Sequence, residues 1–237
     1  MKRALVLLAV SATAVPLLAP GTANAQAAKA PTLQITPSVA VLKAKSSTTV
    51  TFRLRVPGLH PESLVSVTAR GPKGDFDFAE ANDRDKDGVW VATLRFDRLD
   101  QPGGWRAETE IYDFATGDDY AGPSGRFALK RGTALTVNGA PEPVKKGRTL
   151  SVGGRLTRLT EFGIPADYAA FGGQRVQIQF RRKGATGWVN KGFVTTGRDG
   201  KYLKRFKADR DGTWRAVFAG NALHAPVVSG GDYVDVR

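Results

Sequence analysis

Asp83-Arg84-Asp85-Lys86-Asp87-Gly88 has the pattern D-x-D-x-D-G. Carboxylates at alternate positions can converge on one hard cation, and the glycine permits the sharp turn that brings the next carbonyl, from Val89, onto the ion. Asp75, Asp77 and Glu80 lie just upstream, so six carboxylates fall between Asp75 and Asp87. The chemistry expected is a Ca²⁺ site with ligands from Asp83, Asp85, Asp87, the Val89 carbonyl, Asp75 and Asp77. The twelfth position, where an EF-hand loop needs Glu, is Leu94, and the flanks read as strands. Such a site would therefore be a hairpin loop and not an EF-hand. A solvated turn whose Asp side chains bond the local backbone is the competing reading.

A second constellation is cationic. Arg175 and Arg181 alternate with Gln177 and Gln179, Arg182 and Lys183 follow, and Lys204, Arg205 and Lys207 crowd a later hairpin. Exposed guanidinium and ammonium groups with interleaved amides suit an extended anionic polymer, held electrostatically and weakened by salt. From Gln26 to Arg131 there are 15 basic and 14 acidic residues, whereas Gly132 to Arg237 carries 18 and 8, a net +10.

Catalytic chemistry finds little support. There is no cysteine, which excludes thiol nucleophiles, thiolate metal sites and disulfides. The two histidines, His60 and His224, both fall in expected surface loops. Ser63 near His60 has no nucleophile-elbow context. Asp113, Asp118 and Asp119 read as a polar loop. No glycine-rich loop precedes a helix, and no recognition helix is expected, which argues against phosphate cradles and specific nucleic-acid readout.

The elements that must position these groups are short alternating strands. In Thr49–Val56, residues Val50, Phe52, Leu54 and Val56 face in while Thr51, Arg53 and Arg55 face out, the period of a half-buried antiparallel strand. A Gly-to-Trp step recurs at Gly88-Val89-Trp90, Gly104-Trp105, Gly187-Trp188 and Gly212-Thr213-Trp214, two in each half. All four tryptophans are expected as core anchors. Seven or eight strands per half and no helical period predict an all-β chain of two tandem immunoglobulin-like or fibronectin-like β-sandwiches. The first spans residues 32–131 and the basic second spans 132–237, with Lys130-Arg131-Gly132 as a short linker. Arg155 to Gly173 reads as a long aromatic loop, either functional or covering one end of the core through Phe162, Tyr168 and Phe171.

Lys2, Arg3, the apolar run Ala4–Ala19 and Ala23-Asn24-Ala25 have the form of a cleaved signal peptide over residues 1–25. A disordered leader at 26–31 follows. The expected location is secreted or extracellular, with association to the cell wall and no transmembrane anchor.

Leu156-Thr157-Arg158, Tyr168 to Gln174, Val176 to Gly184, Asp211 to Arg215, Phe218 to Asn221 and the ending Gly231 to Arg237 resemble a β-sandwich domain found at the end of small exported proteins of actinobacteria. The resemblance covers the last third of the chain. It implies an exported, non-catalytic, immunoglobulin-like module. Some members are loosely described as calcium-binding, and the family brings no functional residues to carry over. The combined expectation is a monomeric extracellular binding or adhesion module whose second domain associates with an anionic envelope polymer or another extracellular protein. A calcium-binding structural protein is the alternative.

Overall fold

The computed structural model describes residues 30–164 and 166–237. The expected signal peptide and most of the expected leader lie outside the described residues. The chain is built from strands: β1 (Thr32–Thr36), β2 (Val39–Leu42), β3 (Thr48–Arg55), β4 (Leu64–Arg70), β5 (Phe76–Ala81), β6 (Val89–Phe96), β7 (Gly103–Asp113), β8 (Asp118–Ala121) and β9 (Gly125–Arg131). They continue as β10 (Thr133–Leu135), β11 (Asn138–Ala140), β12 (Thr149–Leu159), β13 (Tyr168–Ala170), β14 (Arg175–Arg182), β15 (Val189–Thr195), β16 (Lys201–Lys207), β17 (Gly212–Phe218), β18 (Val227–Val228) and β19 (Asp232–Val234).

In the first half, a three-stranded sheet β1-β3-β6 faces a six-stranded sheet of order β2-β9-β7-β4-β5, with β8 paired to β7. Alternation sets the faces: Val50, Phe52 and Leu54 of β3 and Trp105, Ala107, Thr109 and Ile111 of β7 are all buried. Phe52, Phe96, Trp105 and Phe127 form the aromatic centre, with Phe96 and Trp105 ring centroids 5.0 Å apart in an edge-on arrangement.

The second half repeats the sandwich. β12 carries β10, β11, β13 and β16, and it faces the sheet β15-β14-β17-β18, to which β19 adds on β17. Trp214 lies between Phe180 (centroids 4.8 Å) and Phe206 (4.6 Å) in its core. β12 is long enough to serve two groups of partners, pairing β11 and β16 up to Arg155 and β10 and β13 beyond it. Gly154 stands where the two groups meet, and a Cβ there would collide with the Thr136 carbonyl.

This strand corrects the expected loop at 155–173. Arg155–Leu159 continues β12, Tyr168–Ala170 is β13, and Phe171 is buried in the second core. The connection that remains runs from Thr160 to Asp167, with Phe162 and Ile164 exposed in it. Its base clamps the two halves. Arg98 donates to Asp167 (2.6 Å) and to the Ala44 carbonyl (2.7 Å), and Arg131 donates to the Arg98 carbonyl (3.0 Å) and reaches Glu161 at 3.5 Å. The expected linker is part of this junction: the Gly132 amide donates to Leu42 O (3.1 Å), and Gly132 O accepts from Leu159 (2.8 Å).

Candidate functional site

β14 is a central strand of its sheet, paired with β15 on one side and β17 on the other. Val176, Ile178 and Phe180 point into the core, which puts Arg175, Gln177, Gln179 and Arg181 on the outer face. On β17, Trp214, Ala216 and Phe218 are buried, so Thr213, Arg215 and Val217 share that outer face. Register places Arg215 opposite Gln179. Its Nε donates to Gln179 Oε1 at 2.8 Å, and Gln179 Nε2 donates to Gln177 Oε1 at 2.8 Å.

Trp188 completes the array. The guanidinium carbon of Arg215 is 4.0 Å from its ring centroid and that of Arg181 is 4.7 Å away. Arg175 lies 3.7 Å from the Phe193 ring centroid. Aromatic faces attract these cations and fix their orientation. Among the described residues, none of the three arginines forms a salt bridge. Arg215 is held below the usual arginine range by burial and then by the Arg181 charge. It remains fully cationic at physiological pH. Two guanidinium groups set close together without a carboxylate make a place where an anion relieves repulsion. Arg175 and Arg181 are about 20 Å apart at the usual strand rise, so the face suits an extended ligand.

Trp188 is a correction to the sequence reading. It is half-buried on the outer face, whereas Trp90, Trp105 and Trp214 are core residues. It precedes β15 and follows Gly187, so no alternation within a strand fixes its side. The expected cationic set also divides. Arg175 and Arg181 belong to the face, Arg182 is exposed at the end of β14, and Lys183 there pairs with Asp211 at 3.5 Å. Lys204, Arg205 and Lys207 lie on β16, in the opposite sheet, because β16 pairs with β12 and not with β14. Arg215 and Phe193 were missed as members; for Arg215 the available signal is its alternation with Trp214 and Ala216, which puts Thr213, Arg215 and Val217 on the outward side.

The expected cation ligands divide as well. Asp83 Oδ1 and Oδ2 accept from the amides of Asp87 (3.1 Å) and Gly88 (2.9 Å), and Asp87 Oδ1 accepts from Val89 (2.9 Å). Lys86 and Gly88 take positive φ, 54° and 77°, which shapes this self-closed turn. Asp75 and Asp77 are not with them. They lie at the start of β5, near Asp97 and Asp100; burial first, and then repulsion from Asp97, Asp77 and Asp75, raises the Asp100 carboxyl above its ordinary range. Asp77 is about 20 Å from Asp83 at strand rise. Among the described residues, no three His, Cys, Asp or Glu side chains are placed to hold one metal ion.

The loop itself contains three carboxylates and the Val89 carbonyl, not converged on one point, whereas Ca²⁺ takes six to eight oxygens. Millimolar affinity is the most such a set gives. At 1 mM Ca²⁺ the expected stabilisation is at most about 0.4 kcal/mol, a melting shift of about 1–2 °C. A thermal melt in EDTA and in Ca²⁺ checks this, and a larger rise, absent with Mg²⁺ and abolished by Asp85→Ala, would overturn it.

No nucleophile and base meet at His60. Ser63 is buried and its Oγ donates to Asp113 at 3.3 Å, while His60 Nδ1 accepts from the Glu62 amide at 3.3 Å. Asp118 and Asp119 lie on the exposed strand β8. His224 is not a surface residue: it is 7% exposed, and its ring lies 4.3 Å from that of Phe171.

No protein-family model matches the chain, and no curated protein matches it. Among solved structures, a tetra-tandem repeat in the extending region of a large adhesion protein aligns with 87% of this chain and 50% of that chain, at 18% identity and a TM-score of 0.33. A trypsin-activated alpha-2-macroglobulin from Escherichia coli aligns with 87% of this chain and 16% of that chain, at 13% identity and a TM-score of 0.30. The chain thus spans half or less of these proteins. The sandwich assignment rests on the strand pairing described above.

Proposed function

We propose that the chain is a non-catalytic, extracellular adhesion-type module whose second half holds a linear anionic envelope polymer along the outer face of β14. The observation that carries this reading is the array of three carboxylate-free guanidinium groups, Arg175, Arg181 and Arg215, held by Phe193 and Trp188. Rigid aromatic support lowers the entropy lost when a long cationic side chain meets its ligand. Gln177 and Gln179 lie between the arginines and supply amide groups for uncharged parts of the polymer. Secretion, expected from the N-terminal sequence, would bring this face to the envelope.

The test is binding to a soluble linear polyanion, dextran sulfate, across a salt series. Affinity should fall steeply with salt. In Arg175→Ala/Arg181→Ala/Arg215→Ala it should drop at least roughly tenfold at low salt, and the slope of log affinity against log salt should shrink by about two to three, one for each lost ionic contact. Lys201→Ala/Arg205→Ala/Lys207→Ala, on the outer face of the opposite sheet, removes the same formal charge and should change both far less; Lys204 is left in place because its ammonium donates to the Phe193 carbonyl. Equal losses in the two triple variants would mean that net charge alone binds the polymer, and the face would lose its assignment.

A further inference from the structure

Among the described residues, two other outer sheet faces, one in each half, carry local patches of opposite charge. On the outer face of the six-stranded sheet, Ser66 of β4 lies between Glu80 of β5 and Glu110 of β7. Leu64 and Tyr112, also cross-strand neighbours, and Phe78 wall the groove that results. Phe78 is 52% exposed. Glu62 and Asp119 add negative charge at the rim, with Arg84 the one opposing cation in the lining. Farther along the strands Glu108 is paired with both Arg70 (3.1 Å) and Arg106 (3.2 Å), which leaves that end of the face cationic, so the acidic charge is local to the groove over Ser66.

The second face is the outside of the β11-β12-β16 sheet. Small residues floor it: Ala140 is beside Ser151, and Gly153 lies between Asn138 and Leu203. A Cβ at Gly153 would come within 2.9 Å of the Leu203 side chain, so the depression beside Leu203 depends on that glycine. Leu203 is 56% exposed and walls the depression. Arg155, Lys201 and Arg205 surround it, with Lys201 directly opposite Arg155; Asp199 lies 3.4 Å from the Lys201 ammonium and offsets one of the three charges. The first face therefore combines the exposed apolar side chains of Phe78, Leu64 and Tyr112 with an acidic rim, and the second combines Leu203 and a small-residue floor with a basic rim.

We infer that these faces bind each other between copies of this chain, Phe78 of one copy entering the Gly153 depression and Leu203 of the other entering the groove over Ser66. The pairing joins unlike surfaces, so each copy keeps one free face at either end and association runs head to tail. It does not use the Arg175–Arg181–Arg215 face, and it replaces the monomer expected from sequence. Because the net charge of the chain is positive, copies repel at long range. The local charge pairs must outweigh that repulsion, which makes the contact weak and concentration-dependent.

Sedimentation velocity of the chain from Gln26 onward tests this. At low salt the mean mass should rise over roughly 10–500 µM, the range of a weak interface, and the rise should disappear at high salt. Glu80→Lys/Glu110→Lys and Lys201→Glu/Arg205→Glu should each weaken self-association at least about tenfold. Mixed one to one, they should restore it, since the exchanged charges are complementary again. All four positions lie on outer sheet faces, and a thermal melt of each variant verifies folding. A wild-type chain that stays monomeric throughout, variants that associate as the wild type does, or a mixture that fails to recover would each overturn the inference. Dextran sulfate binding by Glu80→Lys/Glu110→Lys should persist, so failure here is distinguishable from failure of the polymer-binding reading.

Discussion

Leu159→Ala should destabilise the first half of the molecule although Leu159 belongs to a strand of the second. The side chain is 1% exposed and packs in the core made by Leu42, Phe52, Phe96 and Leu129. Leu156, three residues earlier on β12, packs in the other core with Val152, Ile178 and Trp214. Truncating a buried leucine loses its transfer energy and leaves a cavity, together about 2–5 kcal/mol. For a chain of this size that lowers the melting temperature by about 5–15 °C. The location of the effect is the sharper part. Amide exchange in Leu159→Ala should speed up in β2 and β9 of the first half, whereas Leu156→Ala should loosen β14 and β17. If both variants lost protection in the second half alone, Leu159 would not be a shared core residue, and the two sandwiches would be independent units on a short tether.

The same two leucines show how far the sequence could be read. Period-two alternation identified the inward face of β3, and the same alternation marks those of β7, β14 and β17, because each of those strands has one buried face and one solvated face. It fails at β12. Leu150, Val152 and Leu156 share one parity and Leu159 has the other, because the end of β12 leaves its own sandwich and turns its outer side to a neighbouring one. A leucine out of phase at the end of a strand was the available signal, hidden by reading Arg155–Gly173 as a loop. Trp188 failed for a related reason: adjacency to glycine marks a turn, but only the strand after it says which way a side chain points. The cationic set was legible along β14, where spacing fixes the face, and illegible between strands. Whether Lys204, Arg205 and Lys207 join Arg175 depends on β16 pairing with β12, which no local pattern states. The Asp83 turn was legible as a turn. Its supposed partners Asp75 and Asp77 were close in sequence but at the far end of an extended strand, where nearness in sequence means distance in space.

The stability of the chain should fall as pH drops from about 6.5 to about 4, with His224 a principal cause. Its ring is packed on Phe171, and Nδ1 lies 3.0 Å from Asn221 Oδ1, which also accepts the His224 amide at 2.9 Å. Burial first, then the positive charges of Arg158 and Arg131, push the imidazole down to about 4 from its ordinary 6.5. In the folded chain the ring is therefore neutral down to about pH 4, while in the unfolded chain it takes up a proton near pH 6.5. Between those values the unfolded state binds more protons, so stability declines as pH falls and this contribution is complete below about pH 4. The full difference is worth up to about 3 kcal/mol.

Carboxylates also titrate in this window, so the comparison is with His224→Gln, whose amide keeps polar contact with Asn221 without a titrating ring. The unfolding free energy of the wild type should drop more steeply than that of the variant between pH 6.5 and 4, and parallel curves would dismiss His224 as the cause. The backbone beside the ring ties the halves together, with Arg131 N donating to Leu223 O and Ala225 N donating to Arg131 O, both at 2.9 Å. Forcing a proton onto His224 adds a third cation beside Arg131 and Arg158 at that junction. Acid should therefore raise amide exchange at Arg131 and Ala225 before it exposes either core, and simultaneous loss of both cores would show that the junction is not the weak point.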